Sequence, residues 1–304
     1  MKIATTTGDF GRYCKNDIER IRQLHKAGFR YVDLDMYSFT PNCVYMQDDW
    51  KNAVRALKQE ADRLGMQFVQ AHSQGGNPLD SDKGRADFLV AATIRSIEIC
   101  QFLGIKNTVV HPGCRDEIGK DGWFEENLVF YKKLFPTMEA CGVNVLIENS
   151  TAANMGTKYW ANSGKDMVEF LQFADHPLLH ACWDTGHANC EGSQYDDIVT
   201  LGKELYAIHY NDNHGKTDEH LIPYFGTLNH DEVLNALIDI GYQGYFTLEC
   251  SSSLIKKQYW LGGRRDFVRD TRLEEPQLFM QQRLEALLYD ISKHMLSTYG
   301  LFEG

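Results

Sequence analysis

Acid and imidazole side chains recur at or just past the ends of consecutive predicted strands. His72 follows FVQA, His111 follows TVV and Glu148 follows VLI. Asp184 and His187 lie in WDTGHAN, His209 in YAIHY, and Glu249 ends FTLE. These residue types hold metal ions and move protons. One of them at a strand end is ordinary, whereas a run of them suits a metal site at the C-terminal mouth of a barrel.

Glu148, Asp184, His209 and Glu249 end predicted strands five to eight. Neighbouring strand ends converge in a barrel, so three carboxylates and an imidazole can share one divalent ion. An oxygen-rich set with one nitrogen suits manganese or zinc, and also admits cobalt or magnesium. Without an ion, at least one of three crowded carboxylates would take up a proton. Taken singly, each is a polar strand end that backbone or water can satisfy. A second set surrounds the first. His187 stands three residues after Asp184, in a predicted loop that can turn it toward the ion or a substrate. Asp218 and His220 form a D-x-H pair in TDEHLIPYFG, and His72 and His111 come from strands three and four. These five would bind further ions or touch substrate hydroxyls. Asn149 is placed to steady a ligand carboxylate by a hydrogen bond. Trp123, Trp160, Trp183, Tyr210, Tyr224 and Trp260 are candidates to stack on a sugar, against the competing reading that several are core.

The elements that must position these residues alternate in type. KIATTTG, RYVDLDMY, MQFVQAHS, IKNTVVHPG, VNVLIENS, LLHACWD, YAIHYND and YFTLEC read as strands. Between them lie amphipathic stretches. In the first, Ile18, Ile21, Leu24 and His25 share a helical face that ends near Gly28. Helices are expected over about 52–64, 83–103, 165–173, 195–205 and 231–240. FEENLVFYKKLFPTMEACG reads as one helix that Pro136 kinks. Eight strand-then-helix units imply an α/β fold, a (β/α)8 TIM barrel in a single domain over residues 1–304, with a C-terminal helical extension from about Gln277 to Thr298. An open doubly wound sheet would want a GxGxxG turn after the first strand, and none is present. Two insertions interrupt the pattern, Tyr37 to Asp49 and Ser251 to Gln277. The second contains GGRRDFVRDTR over Gly262 to Arg272, which reads as a solvated arm, a subunit contact or a substrate-facing loop.

Composition narrows the function classes. The chain has 304 residues, 43% hydrophobic and 24% charged, as ordinary globular proteins do. The opening MKIATTTGDF lacks an apolar signal-peptide core and no run is long enough to span a bilayer, so a cytoplasmic location is expected. Eight cysteines without a CxxC pair read as free thiols, Cys182 and Cys250 among them as small core residues. The net charge of −11 opposes a nucleic-acid partner. Basic clusters are sparse: Lys132 with Lys133, Lys256 with Lys257, and Arg264 with Arg265. The aromatic ending TYGLFEG could pack on a second copy, which leaves a homo-oligomer open.

LIENS at Glu148, WDTGHAN at Asp184 and His187, AIHYND at His209, DEHLIPYFGTLN at Asp218 and His220, and TLEC at Glu249 look like successive signatures of one superfamily. Over nearly its whole length the chain resembles the xylose-isomerase-like barrels, which include sugar isomerases, sugar epimerases and apurinic endonucleases. In the ketose 3-epimerase branch, the resemblance implies Glu148, Asp184, His209 and Glu249 as ligands of one ion. Glu148 and Glu249 would also be the acid/base pair, and His187 would touch the substrate. In the apurinic endonuclease branch it implies three zinc ions and nine ligands, at His72, His111, Glu148, Asp184, His187, His209, Asp218, His220 and Glu249.

The expected activity is a metal-dependent isomerisation or epimerisation of a sugar or sugar-like polyol. A Lewis-acidic ion would make a C–H beside a carbonyl more acidic, and a glutamate would remove its proton to give an enediolate. Return of a proton from the opposite face gives the epimer, and transfer between adjacent carbons interconverts aldose and ketose. The alternatives are a multi-zinc phosphodiesterase of the apurinic endonuclease kind, a polyol dehydratase or lyase, and a non-catalytic sugar- or metal-binding barrel.

Overall fold

The apolar runs become short parallel strands, each followed by a helix that covers its outer face. The computed structural model describes residues 1–157, 159–192, 194–254, 273 and 276–304. In chain order the elements are β1 (Ile3–Thr6), α1 (Asp17–Ala27), β2 (Tyr31–Asp35), α2 (Trp50–Leu64), β3 (Gln67–His72), α3 (Lys83–Leu103) and β4 (Asn107–Val109). Next come α4 (Lys120–Lys132), α5 (Phe135–Cys141), β5 (Asn144–Glu148), α6 (Ala152–Met155), α7 (Gly164–Ala174), β6 (Leu179–Asp184) and α8 (Thr185–Glu191). The last are α9 (Tyr195–Leu201), β7 (Leu205–His209), α10 (His230–Asp239), β8 (Phe246–Leu248) and α11 (Leu278–Thr298).

Strands pair in the order β7-β6-β5-β4-β3-β2-β1-β8. Tyr210, one residue past β7, bridges to β8: its N–H donates to the Thr247 carbonyl at 2.7 Å and its carbonyl accepts from Glu249 N–H at 3.1 Å. That contact closes the ring, and the fold is a (β/α)8 TIM barrel. Helix boundaries follow local chemistry. Asn16, Asp82, Ser163 and Asn229 cap α1, α3, α7 and α10 by accepting from backbone N–H groups of the first turn. Gly104 ends α3 in the left-handed conformation, φ 78°.

Strand alternation explains the site. Val109, Leu146, Cys182 and Ala207 form their own buried cluster inside the barrel. Two residues further along, each strand returns to the same face. Those positions are His111, Glu148, Asp184 and His209. The same step links Asp33 to Asp35 on β2, Gln70 to His72 on β3, and Thr247 to Glu249 after β8.

Two sequence expectations change. The single kinked helix is two helices, α4 and α5, separated at Lys133 and Leu134. Pro136 sits in the first turn of α5, where its missing N–H costs nothing. The helix expected to reach Leu205 stops at Leu201, because Leu205 pairs with Ala181 as the start of β7. On the face read for α1, Ile21 and Leu24 are fully buried and Ile18 and His25 are half-buried. The ending folds back on its own barrel: Leu301 and Phe302 pack on the core, and Glu303 N–H donates to the Met1 carbonyl. The segment Gly262 to Arg272 lies outside the described residues, as do Trp260 and the basic pairs at 256–257 and 264–265.

Candidate metal centre

The C-terminal mouth of the barrel opens into a cavity of about 1000 Å³ whose lining includes Asp35, Tyr37, His72, Glu148, His187 and Glu249. One ligand-capable atom from each of Glu148, Asp184, His209 and Glu249 lies within 4.8 Å of the others. Glu148, Asp184 and His209 are the last residues of β5, β6 and β7, and Glu249 follows β8 by one. His209 Nδ1 lies 2.5 Å from Glu148 Oε1 and 3.6 Å from Glu249 Oε2. The donor set is hard oxygen with one borderline nitrogen, and its spacing fits one divalent ion.

Asp184 is aimed by its surroundings. Its Oδ1 accepts the His187 N–H at 2.7 Å, which caps α8, and its Oδ2 accepts from Asn211 Nδ2 at 2.8 Å. Asn149 acts differently from the expectation. It clamps the Asp184 backbone, with Oδ1 accepting Asp184 N–H at 2.6 Å and Nδ2 donating to the Asp184 carbonyl at 2.9 Å. The Asp184 carboxylate itself is out of its hydrogen bonding because a strand neighbour reaches backbone more readily than a side chain pointing inward.

His187, Asp218 and His220 form a second group with ligand-capable atoms within 4.8 Å. His187 lies in the first turn of α8 rather than in a loop, because Asp184 is a good N-cap. Its Nδ1 meets the Asn149 carbonyl at 2.9 Å and its Nε2 faces Asp218 Oδ2 at 3.4 Å. His220 repeats the pattern, with Nδ1 on the Glu249 carbonyl at 2.8 Å and Nε2 on Asp218 Oδ2 at 2.9 Å. A carbonyl at Nδ1 fixes the proton there and leaves Nε2 to present a lone pair. The D-x-H segment is held by a two-way backbone pairing of Asp212 with Leu221.

His72 and His111 make the third cluster. His72 Nδ1 meets the Ser73 carbonyl at 3.0 Å, and its Nε2 lies 3.0 Å from His111 Nε2. His111 Nε2 is 2.9 Å from Glu148 Oε2. Glu148 therefore touches His209 with one oxygen and His111 with the other. All nine residues singled out in the sequence meet at this mouth.

Electrostatics tie the groups together. Burial pushes the Asp184 carboxyl up to about 6 although His187 pulls it down. Burial opposes the charge of Glu148, but His209 and His111 outweigh it and hold the carboxyl well below its usual range. Glu249 is lowered too, with His209 and His220 overcoming burial. Burial opposes protonation of His72, yet Glu148 and Glu249 draw it up to about 9. Protons and a divalent ion compete for the same atoms here.

The aromatic expectation changes. Trp123, Trp183 and Tyr210 are fully buried, Trp160 packs on the core, and Tyr224 is exposed. Among the described residues the tyrosine or tryptophan ring that faces the cavity is Tyr37, edge-on to His72 with centroids 5.1 Å apart. The sequence marks it only as the start of the insertion Tyr37 to Asp49, which carries aromatic and polar residues. Sequence reasoning also passes over Asp33 and Gln70, because a polar residue within a strand usually reads as solvent-facing.

The family model described as xylose isomerase-like TIM barrel matches residues 21–270, and the chain belongs to that family. Among solved structures, a D-psicose 3-epimerase with D-tagatose from Clostridium cellulolyticum H10 superposes with a TM-score of 0.76 at 20% identity, covering 97% of this chain and 99% of that one. The IOLI protein with a bound zinc atom gives 0.74 at 15% identity, covering 98% and 99%. In sequence, an uncharacterized protein of Methanocaldococcus jannaschii is 26% identical over 205 residues, 64% of this chain and 68% of its own length.

Proposed function

We propose that this xylose isomerase-like barrel is a divalent-metal-dependent isomerase or epimerase of a sugar or sugar-like polyol. The observation that carries the reading is the convergence of Glu148, Asp184, His209 and Glu249 within 4.8 Å at the floor of the cavity. Those four would hold the ion, with manganese or zinc as the preferred metal. The likeness to a barrel with zinc and to a 3-epimerase with its sugar supports the assignment. When bound, the ion supplies Lewis acidity that makes the C–H beside a carbonyl easier to ionise.

The proton steps fall to Glu148 and Glu249. They reach the cavity from β5 and β8, three strands apart around the ring, so a carbon between them meets a carboxylate on each side. Both are held below the usual carboxylate range and start as proton acceptors. One removes the proton, and the substrate becomes an enediolate. The other takes a proton from solvent and delivers it to the opposite face, which inverts the centre, and the first releases its proton to solvent. Tyr37 supplies an apolar face for sugar C–H groups, and His187 and Asp35 offer hydrogen bonds to hydroxyls.

Elemental analysis of the purified protein, followed by a ketose and aldose panel with and without manganese or zinc, tests the reading. Metal-dependent conversion of at least one sugar to its epimer or isomer is expected. A bound metal with no turnover across the panel would favour a binding protein instead.

One observation favours a second reading. The nine residues that the apurinic endonuclease resemblance implies all gather here, and Glu148 joins the His72–His111 pair to the set with Asp184, His209 and Glu249. The net charge of −11 opposes it, because nuclease affinity leans on phosphate contacts. Robust incision of abasic duplex DNA would reverse the ranking.

A further inference from the structure

Directly beneath the candidate ion site, the barrel interior carries a polar layer that the chemistry above leaves unassigned. Asp33 on β2 is 1% exposed, and among the described residues neither of its carboxylate oxygens has a hydrogen-bond partner. A buried carboxylate without partners is costly, so its retention calls for a physical reason. Asp33 stands opposite Gln70 in the β2–β3 register. Its Oδ2 lies 3.7 Å from His209 Nε2. Gln70 Nε2 lies 2.8 Å from the same nitrogen, and Thr247 Oγ1 donates to Gln70 Oε1 at 3.3 Å.

The two nitrogens of His209 thus face different worlds. Nδ1 looks up at Glu148 and Glu249, and Nε2 looks down at Asp33 and Gln70. An imidazole that gives its Nδ1 lone pair to an ion must carry its proton on Nε2, and that proton needs an acceptor. With its nitrogen toward Nε2 the Gln70 amide is a second donor, which cannot accept the proton, and its oxygen is engaged by Thr247, so a proton on Nε2 has to turn from Gln70 toward Asp33. Among the described residues Asp33 is the facing acceptor whose oxygens are uncommitted, and its Oδ2 has to close from 3.7 Å to hydrogen-bond length to take that proton.

We propose that Asp33 is a positioning residue: it accepts the His209 Nε2–H, fixes the tautomer with Nδ1 turned to the ion, and raises the basicity of that ligand nitrogen. The inference rests on the reading of His209 as a ligand. It extends the site by one layer, from carboxylates and imidazole at the rim to a carboxylate–imidazole–ion relay running down the barrel axis.

The test uses zinc as the probe and the full-length chain. Zinc affinity is measured by competition with a chromophoric chelator for wild type, Asp33→Asn, Asp33→Leu and Gln70→Leu. Both Asp33 variants are expected to bind zinc at least about tenfold more weakly, and Gln70→Leu to lose less. Equal affinity in wild type and Asp33→Asn overturns the proposal, as does a loss confined to Gln70→Leu. Absence of zinc binding by wild type would overturn the ligand set and the proposal with it. Nitrogen-15 histidine spectra of zinc-loaded wild type need no variant to fold. They should show His209 protonated on Nε2, and a proton found on Nδ1 overturns the role of Asp33.

Discussion

Glu148 Oε1 and His209 Nδ1 stand 2.5 Å apart at the ends of strands two places apart in the ring. The second oxygen of Glu148 is 2.9 Å from His111 Nε2. A glutamine here keeps the shape but loses the charge and one acceptor. Glu148→Gln and Glu249→Gln should therefore keep the fold and lower turnover on the active sugar by about a thousandfold or more. Steady-state rates beside thermal melts check this, and full activity in both variants would refute the acid/base roles.

Asp184 depends on a close approach elsewhere in the chain. A Cβ on Gly186 would collide with Asn211 Oδ1. Asn211 would have to move, and its 2.8 Å hydrogen bond to Asp184 Oδ2 would go with it. Gly186→Ala is expected to weaken divalent-ion affinity by about tenfold, read by calorimetric titration. An unchanged affinity would show that Asn211 does not aim this carboxylate.

Gly75 plays the same part for Tyr37. An added Cβ would overlap the Tyr37 ring at Cζ, so the ring would leave its place beside His72. Gly75→Ala and Tyr37→Ala should share a phenotype: a KM raised several-fold with a smaller change in kcat. A wild-type KM in both would remove Tyr37 from the substrate wall.

Away from the mouth, Glu285 on α11 is fully buried, and among the described residues only its Oε1 is hydrogen-bonded, from Gln281. Burial raises its carboxyl from 4.5 to about 8, and burial together with the charge of Glu285 raises Asp9 as well. The folded state then holds a proton that the unfolded chain releases above about pH 4.5. The contribution of this group to stability is full below that pH and is lost as pH rises toward about 8, by roughly 1 kcal/mol for each pH unit. Glu285→Gln should flatten that decline, so urea unfolding at about pH 8.5 should find the variant more stable than wild type. Parallel pH profiles would contradict this.

Much of the site was readable because barrel geometry converts strand ends into a ring. An acid or imidazole two residues past an apolar interior position, as in Leu146 to Glu148 or Ala207 to His209, is placed by alternation alone. What escaped depends on contacts between distant segments. Tyr37 reaches the cavity from an insertion without a periodic pattern. Asn149 looked like a partner for a carboxylate and instead grips backbone. Asp33 sits in YVDLDMY, where its neighbours Val32 and Leu34 face the helices and leave it the interior. The helix break at Lys133 and Leu134 comes just before Pro136, which cannot give an N–H to the Lys132 carbonyl and so separates two helices rather than kinking one.

Proton exchange in heavy water probes the proposed glutamate chemistry at the reacting carbon itself. The manganese- or zinc-loaded protein is incubated with the ketose and aldose panel, and proton NMR follows the C–H beside the carbonyl. For the sugar that turns over, that signal should disappear and deuterium should enter at the inverted or migrated centre. Neither Glu148→Gln nor Glu249→Gln should support the exchange. Product formed without solvent deuterium, or exchange that persists in both variants, would rule out proton transfer through these two carboxylates.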